Sequence, residues 1–391
     1  MGAVQRSYNL LKRVAVKHQV SLIAFNQKAL LGSTVALADA HNEMEKMCAR
    51  VDILPIPSDR SKAARYGLVL RSLFSADPYT INWLKDPAMY AIVKEAVEKV
   101  KPNLVHVDTI SLVPYFDALA QIPRVLNHHN IESVMMKRRA AKEPQFLKRA
   151  YFDLEGRKIE AAEKRFCAEA KMNLAVSRVD AEDLQEICPS AVVEICENGC
   201  DTTYFTPNLD IVPEPGHLLF VGNLKWYPNH DAVIYFCREV WPALTRGCPD
   251  VKFTVVGAHP SPEILRFAKA DERIRVTGLV DDVRPFFHRA DVFVCPIWDG
   301  GGTRLKLLDA MAMGKPIVTT TIGCEGLDVV ANQNVMIADT AADFVRQIAA
   351  VTASRQLRQS LGESARRLAE ARYSWDSIAS RLMEMYQKVS R

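Results

Sequence analysis

Short, continuous apolar runs alternate with longer stretches of helical periodicity along the whole chain. In the first half the runs lie at 20–25, 52–56, 104–107, 124–126, 172–176 and 192–195. In the second half they lie at 218–222, 252–256, 274–277, 292–295, 317–320 and 335–338. Most are unbroken rather than alternating, the mark of strands covered on both faces of a parallel sheet. Strand–helix alternation of this kind predicts βαβ units and doubly wound α/β domains. The stretch 201–216, with three prolines and a glycine, is the best linker candidate. We therefore expect two similar domains, 1–205 and 206–373, facing each other across a cleft. A final helix over 374–391 would pack back on the first domain. The segment 354–371 carries Leu357, Leu361, Ala365 and Leu368 at helical spacing, and Ser374 or Asp376 would cap the last helix.

The most informative local pattern is Asp299-Gly-Gly-Gly-Thr-Arg-Leu-Lys-Leu-Leu-Asp-Ala-Met-Ala-Met-Gly-Lys-Pro316. It places three glycines where a strand feeds a helix. Glycine allows positive φ and close approach of a ligand to the backbone. The first helical amides lack partners within the helix, and the dipole favours an anion there. Arg304 and Lys306 put two cations at an end where cations are normally disfavoured. An anion at the loop would remove that conflict, so the pattern reads as a phosphate site. Gly302, Lys306 and Asp309, four and three residues apart, fall on one stripe. A diphosphate at the loop and a ribose or sugar hydroxyl at Asp309 would suit a nucleotide-sugar. A Lys306–Asp309 surface ion pair beside a flexible loop is the alternative.

Composition narrows the class without choosing a partner. The chain has 391 residues, enough for two domains, with 49% hydrophobic residues, 25% charged residues and a formal net charge of +4. A charge that small points to no nucleic-acid partner. No apolar stretch reaches the ~18 residues of a membrane span, and the N-terminus lacks the apolar core of a signal peptide. Nine cysteines, scattered mostly in apolar segments, suit reduced thiols and a cytoplasmic setting. Cys196 and Cys200 have no second Cys/His pair at zinc spacing beside them, so no metal site is expected.

In the first half, Asn127-His-His-Asn-Ile-Glu132 follows a strand, so its polar groups should reach a ligand cleft. His129 is the first choice for a polar contact to a donor sugar or acceptor, because imidazole both gives and takes protons near neutral pH. The alternative is a helix-capping histidine, with Asn130 as N-cap of a helix starting near Ile131. His128 and Glu132 are further candidates. Asp108 ends a strand and could line the cleft, although a turn-stabilising role is the commoner outcome. Trp226 and Tyr227 are candidate pocket aromatics with a core or interface role as the alternative. The segment 137–165 holds ten Lys/Arg against five Asp/Glu. Such a face could rest on anionic lipid headgroups, or it could simply be solvated.

The order of these pieces resembles the family-four glycosyltransferases of GT-B fold, notably the sugar transferases of bacterial exopolysaccharide and cell-surface glycan pathways. The resemblance rests on the glycine-rich run with its following helix, and on Phe220-Val-Gly-Asn-Leu-Lys-Trp-Tyr-Pro-Asn-His-Asp-Ala232, Val255-Val-Gly257 and Val276-Thr-Gly-Leu-Val-Asp-Asp282. In the first half it rests on Gln5-Arg-Ser-Tyr-Asn-Leu-Leu11, the stretch around His129, Ala175-Val-Ser177 and Glu197-Asn-Gly199. It implies an α/β GT-B fold of two Rossmann-like doubly wound domains. It also implies a retaining hexosyltransferase that takes a nucleoside-diphosphate sugar and a glycan or lipid-linked acceptor, without metal or other cofactor. The donor would be lined by Gly222, Asn223, Lys225, Gly301, Gly302, Thr303, Arg304, Lys306 and Asp309, with His129 and Glu132 in the chemistry. Family members usually carry two acidic residues around seven others on the donor helix. Asp309 matches the second, and Gly301 stands in place of the first. The family also begins with a buried strand and a glycine-rich turn ahead of the helix matched by 5–18. This chain starts almost at that helix, so either its start is misassigned or its first strand is missing. A degenerate partner subunit and a nucleotide-sugar epimerase of similar architecture are the competing readings.

Overall fold

The computed structural model describes residues 2–28, 33–299 and 303–390. Each of the twelve apolar runs forms a strand. They are β1 (Ser21–Asn26), β2 (Arg50–Pro55), β3 (Val105–Val107), β4 (Arg124–Asn127), β5 (Met172–Ala175) and β6 (Val193–Ile195), followed by β7 (His217–Val221), β8 (Lys252–Val256), β9 (Ile274–Val276), β10 (Val292–Cys295), β11 (Ile317–Thr319) and β12 (Met336–Ile337). Two compact units result: Met1–Cys196 together with Ala379–Arg391, and Glu197–Ile378.

The division falls ahead of the proline-rich 201–216 rather than at 205/206. Its cause is non-local. Cys200 N–H donates to the Tyr373 carbonyl at 2.8 Å, and Trp375 N–H donates to the Cys200 carbonyl at 3.2 Å. That short parallel bridge fastens the start of the linker to the second unit. The last helix, Trp375–Ser390, is capped by Ser374, whose Oγ accepts from Ser377 N–H at 3.3 Å.

In the first unit the sheets run β1-β2 and β3-β4-β5-β6, with every pairing parallel. Among the described residues no strand pairs with the second edge of β1 or of β3. The opening helix, Gly2–Val14, buries Arg6, Leu10 and Val14. Arg6 has no exposed surface, and its Nη2 donates to the Cys196 carbonyl at 2.7 Å and to Asn127 Oδ1 at 3.2 Å. These two bonds offset part of the cost of burying the charge. They tie the first helix to the ends of β4 and β6.

The second unit is a six-stranded parallel sheet, β12-β11-β10-β7-β8-β9. Its strands are buried on both faces, with Phe220, Phe253 and Phe293 all inaccessible. That accounts for the continuous apolar runs. The ends of β7 and β8 approach unusually closely. A Cβ on Gly257 would lie 1.8 Å from the Gly222 carbonyl oxygen. Only glycine fits there, which gives a physical reason for the Val255-Val-Gly257 pattern. Gly257→Ala should therefore destabilise the protein by about 1–3 kcal/mol through overpacking against backbone. Denaturant melts of the variant check this, and an unchanged midpoint would mean that the two loop ends separate freely.

Candidate functional site

Two groups of polar side chains gather at the carboxyl ends of strands, one in each unit. In the second unit the helix Leu305–Ala312 follows β10 and the glycine-rich run of the sequence. Its N-cap is Arg304, in extended backbone conformation and without a side-chain cap. The predicted Gly301 and Gly302, with Gly300, lie outside the described residues. Thr303 and Arg304 are half-buried at the helix start.

Lys306 does not pair with Asp309. Its Nζ donates to Asn229 Oδ1 and sits 4.5 Å from the centre of the Phe220 ring. A Cβ on Gly222 would come within 2.7 Å of the same Nζ, so Gly222 and Lys306 share one small space. Asn229 also donates from Nδ2 to the Asn223 carbonyl at 2.8 Å, which fixes the turn after β7. Burial lowers the Lys306 pKa to about 8; the neighbouring charge of Arg304 adds to the fall. The Lys225 side chain is exposed, and its amide donates to Asn223 Oδ1 at 3.0 Å. Trp226 is 50% exposed and rests at 5.3 Å against Tyr227.

Asp309, one turn further along, is half-buried. Burial first, and then the negative charge of Asp201, push its pKa up to about 8. Carboxyls shifted this far mark candidate functional sites.

In the first unit, Asp108 ends β3 and gathers four donors. Ser7 Oγ donates to its Oδ2 at 2.6 Å, and Asn127 Nδ2 donates to its Oδ1 at 3.2 Å. His129 Nε2 stands 3.4 Å from Oδ2 and His106 Nε2 3.7 Å from Oδ1. Desolvation alone would push this carboxyl up. The hydrogen bonds and charges of His106 and His129 outweigh it and hold Asp108 well below the usual carboxylate range. Tyr386, on the last helix, has its hydroxyl 2.7 Å from His106 Nδ1.

The helix Glu132–Lys142 is not capped by His129 or Asn130. Its N-cap is Ile131, without a side-chain bond. Glu163, from the helix Phe146–Glu169, serves instead, accepting from Ser133 N–H at 3.3 Å and from Ser133 Oγ. Burial raises the Glu163 pKa to about 7. Glu132 is half-buried in the first helical turn, and burial raises its pKa while the nearby His129 opposes the rise. His128 faces inward. Its Nε2 is 3.3 Å from Asn173 Oδ1, and burial lowers its pKa to about 4. His128 is therefore a core residue, and sequence reasoning missed Asn229, Ser7, Tyr386 and Glu163. Among the described residues no group of three or more His, Cys, Asp or Glu side chains could hold a metal ion.

Comparison with known proteins places the chain. Residues 2–204 match the model of Glycosyltransferase Family 4, and residues 215–354 match that of the group 1 glycosyl transferases. The chain belongs to glycosyltransferase family 4. Among relatives, a phosphatidyl-myo-inositol mannosyltransferase of Mycolicibacterium smegmatis is 29% identical over 56% of this chain and 57% of its own length. A glycogen synthase of Mycobacterium tuberculosis is 25% identical over 74% of this chain and 70% of its own. A protein encoded in the cps region of Klebsiella pneumoniae is 28% identical over 34% of this chain, which spans 36% of that relative. The chain thus spans only about a third to a little over half of two of these relatives. Among solved structures, Anabaena HepE in complex with UDP aligns over 98% of this chain and 96% of its own, at a TM-score of 0.67 and 14% identity. Sucrose-phosphate synthase of Thermosynechococcus elongatus aligns over 86% and 82%, at 0.64 and 17%. At such identities the likeness concerns the fold alone, which is GT-B.

The raised Asp309 pKa carries a stability consequence with a definite sign. The native state holds this proton more tightly than the unfolded chain. Wild-type protein therefore loses stability as pH rises from the ordinary carboxylate range toward about 8. Asp309→Asn cannot ionise and escapes that loss. Thermal melts at pH 4.5 and pH 8 should show the variant gaining on wild type at the higher pH. A gap that closes or reverses as pH rises would show that Asp309 ionises freely in the native state.

Proposed function

We propose that this protein transfers a hexosyl group from a nucleoside-diphosphate sugar to a glycan or lipid-linked acceptor hydroxyl, with retention of anomeric configuration. The observation that carries the reading is Lys306: a cation packed against Gly222 and an aromatic face, on the helix that follows the glycine-rich run. In the reaction the bond from the anomeric carbon to the diphosphate oxygen breaks, a bond to the acceptor oxygen forms, and the acceptor hydroxyl's proton passes to the departing diphosphate. Charge develops on the departing diphosphate, and fixed cations and amides aimed at it supply the largest stabilisation. Lys306, with Arg304, takes that role. Asp309 accepts a hydroxyl of the ribose. Gly222 and Asn223 line the diphosphate, and His129 meets the transferred sugar or the acceptor. No metal or other cofactor is required, because the cations are built in.

Relatives that act on phosphatidylinositol or sit in a cps region support an acceptor in surface-polysaccharide or glycolipid synthesis. A peripheral contact with anionic lipid at the cytoplasmic membrane face fits that acceptor. The basic segment 137–165 folds into the helices Glu132–Lys142 and Phe146–Glu169, and presents Phe146 and Leu147, 69% and 80% exposed, beside Lys148 and Arg149. Part of its charge is internally used, as in the Lys137–Glu160 pair at 2.9 Å. No described helix is long and apolar enough to cross a membrane.

Calorimetry with UDP and GDP in the presence of chelator is the first test. Binding should appear without added metal, and binding that requires magnesium or manganese would remove the built-in-cation reading. Lys306→Ala should weaken diphosphate binding by roughly 1.5–3 kcal/mol, the range for a charge-assisted bond, with little effect on the free nucleoside. Equal loss for both ligands would show that Lys306 does not meet phosphate. His129→Ala should cut turnover of a labelled nucleotide-sugar strongly while leaving UDP affinity within about twofold. Full activity in that variant would take His129 out of the chemistry. If no donor in a panel is turned over by wild type, a non-catalytic subunit is the better reading.

A further inference from the structure

The Asp108 cluster has a chemical polarity that goes beyond assigning His129 to the site. The Asp108 carboxylate can only accept hydrogen bonds. Every group around it that can donate does so, or stands ready to: the Ser7 hydroxyl at 2.6 Å, the Asn127 amide at 3.2 Å, His129 Nε2 at 3.4 Å and His106 Nε2 at 3.7 Å. Both imidazoles turn the same nitrogen toward the same carboxylate. The far side of His106 is occupied too, its Nδ1 lying 2.7 Å from the Tyr386 hydroxyl. An imidazole that donates from Nε2 must, when neutral, accept at Nδ1. For His106 the acceptor is satisfied by the Tyr386 O–H. For His129 no described side chain donates to Nδ1, and its side chain keeps 17% exposure.

We infer that Asp108 is a positioning residue that locks His129 in its Nε2–H tautomer, so that the ring offers Nδ1 as a hydrogen-bond acceptor to a substrate hydroxyl. Tyr386 and His106 form the outer half of the same chain and hold the carboxylate from its other oxygen. Ser7 and Asn127 fix it from the first helix and from the end of β4. The ligand chemistry follows. The group at His129 is a hydroxyl donor, such as a sugar or acceptor alcohol, and not a carbonyl or phosphate oxygen. This inference rests on the functional reading above only for what His129 contacts; the ring state itself is a property of the protein alone.

The decisive measurement is long-range nitrogen–proton NMR of the full chain labelled at its histidine nitrogens, with His129→Gln used to assign the His129 signals. In wild type at a pH where the ring is neutral, the protonated nitrogen should be Nε2 and the bare one Nδ1. In Asp108→Asn and Asp108→Ala the two nitrogens should move toward a mixture of tautomers. Bare Nε2 in wild type would overturn the inference without any variant having to fold. Glu132 is the other carboxylate that senses His129. If Glu132→Gln shifts the ring signals and the Asp108 variants do not, the positioning role passes to Glu132 and the inference falls.

Kinetics then separate positioning from mere support. Asp108→Ala should lower kcat by on the order of tenfold or more with donor KM little changed, and should add little further loss when combined with His129→Ala, as residues acting as one unit do. Losses that multiply in the double variant would show that Asp108 acts independently of His129. A wild-type ring in the expected tautomer, together with fully active Asp108 and His129 variants, would leave the ring lock standing and reject the catalytic reading of the site instead.

Discussion

A cation buried without a carboxylate is the constraint on which the second unit's candidate site turns. Removing an ammonium from water is costly, and proteins usually offset that cost with an opposite charge. Asp309 lies one turn away on the same helix and would be the natural partner. It does not pair with Lys306, and the charge of another carboxylate, Asp201, acts on it instead. Lys306 is left with an amide oxygen and an aromatic face. The result is a lysine that gives up its proton too easily and an aspartate that keeps its proton too well, three residues apart. A ligand with an anion at one end and hydroxyls at the other would relieve both. Strained electrostatics of this kind in a cluster of polar groups is what a binding site costs a fold before its ligand arrives.

The first unit solves the opposite problem. There a single carboxylate is saturated with donors, and its ionised state is secured rather than disfavoured. Arg6 and Ser7 sit side by side on the first helix and split the work. Arg6 goes to Asn127 and the Cys196 carbonyl, and Ser7 goes to Asp108. Asn127, fully buried, receives Arg6 on its oxygen and gives its nitrogen to Asp108. The first helix is thus wired to the ends of β3, β4 and β6 through polar bonds, where a hydrophobic face alone would fix no particular register.

Much of the architecture was legible in the sequence, because burial on both faces of a parallel sheet forces the apolar runs that mark each strand. The capping of the last helix by Ser374, one of the two residues offered for it, was legible because capping is local to the helix start. What was not legible is contact between distant positions. Lys306 and Asn229 are 77 residues apart, and Tyr386 and His106 are 280 apart. No spacing rule links such pairs, so Lys306 was expected beside a phosphate without its Asn229 partner, and Asp108 looked like a turn residue. The domain boundary was misplaced for a like reason. Proline marks where a chain bends, but the bridge from Cys200 to the Tyr373–Trp375 backbone decides which unit the bend belongs to.

The clearest case of one distant contact deciding the chemistry of another residue is Glu163. A helix that follows Asn127-His-His-Asn-Ile should take its cap from Asn130 or the adjacent histidine, since short polar side chains are the usual partners of the first amides. Glu163 reaches across from a neighbouring helix and takes those amides first. The carboxylate costs burial, as its raised pKa shows. The helix N-terminus favours negative charge and offsets part of that cost. With the amides occupied, His129 has no structural duty at the helix start. Its ring turns toward Asp108 instead, with Nε2 3.4 Å from Oδ2.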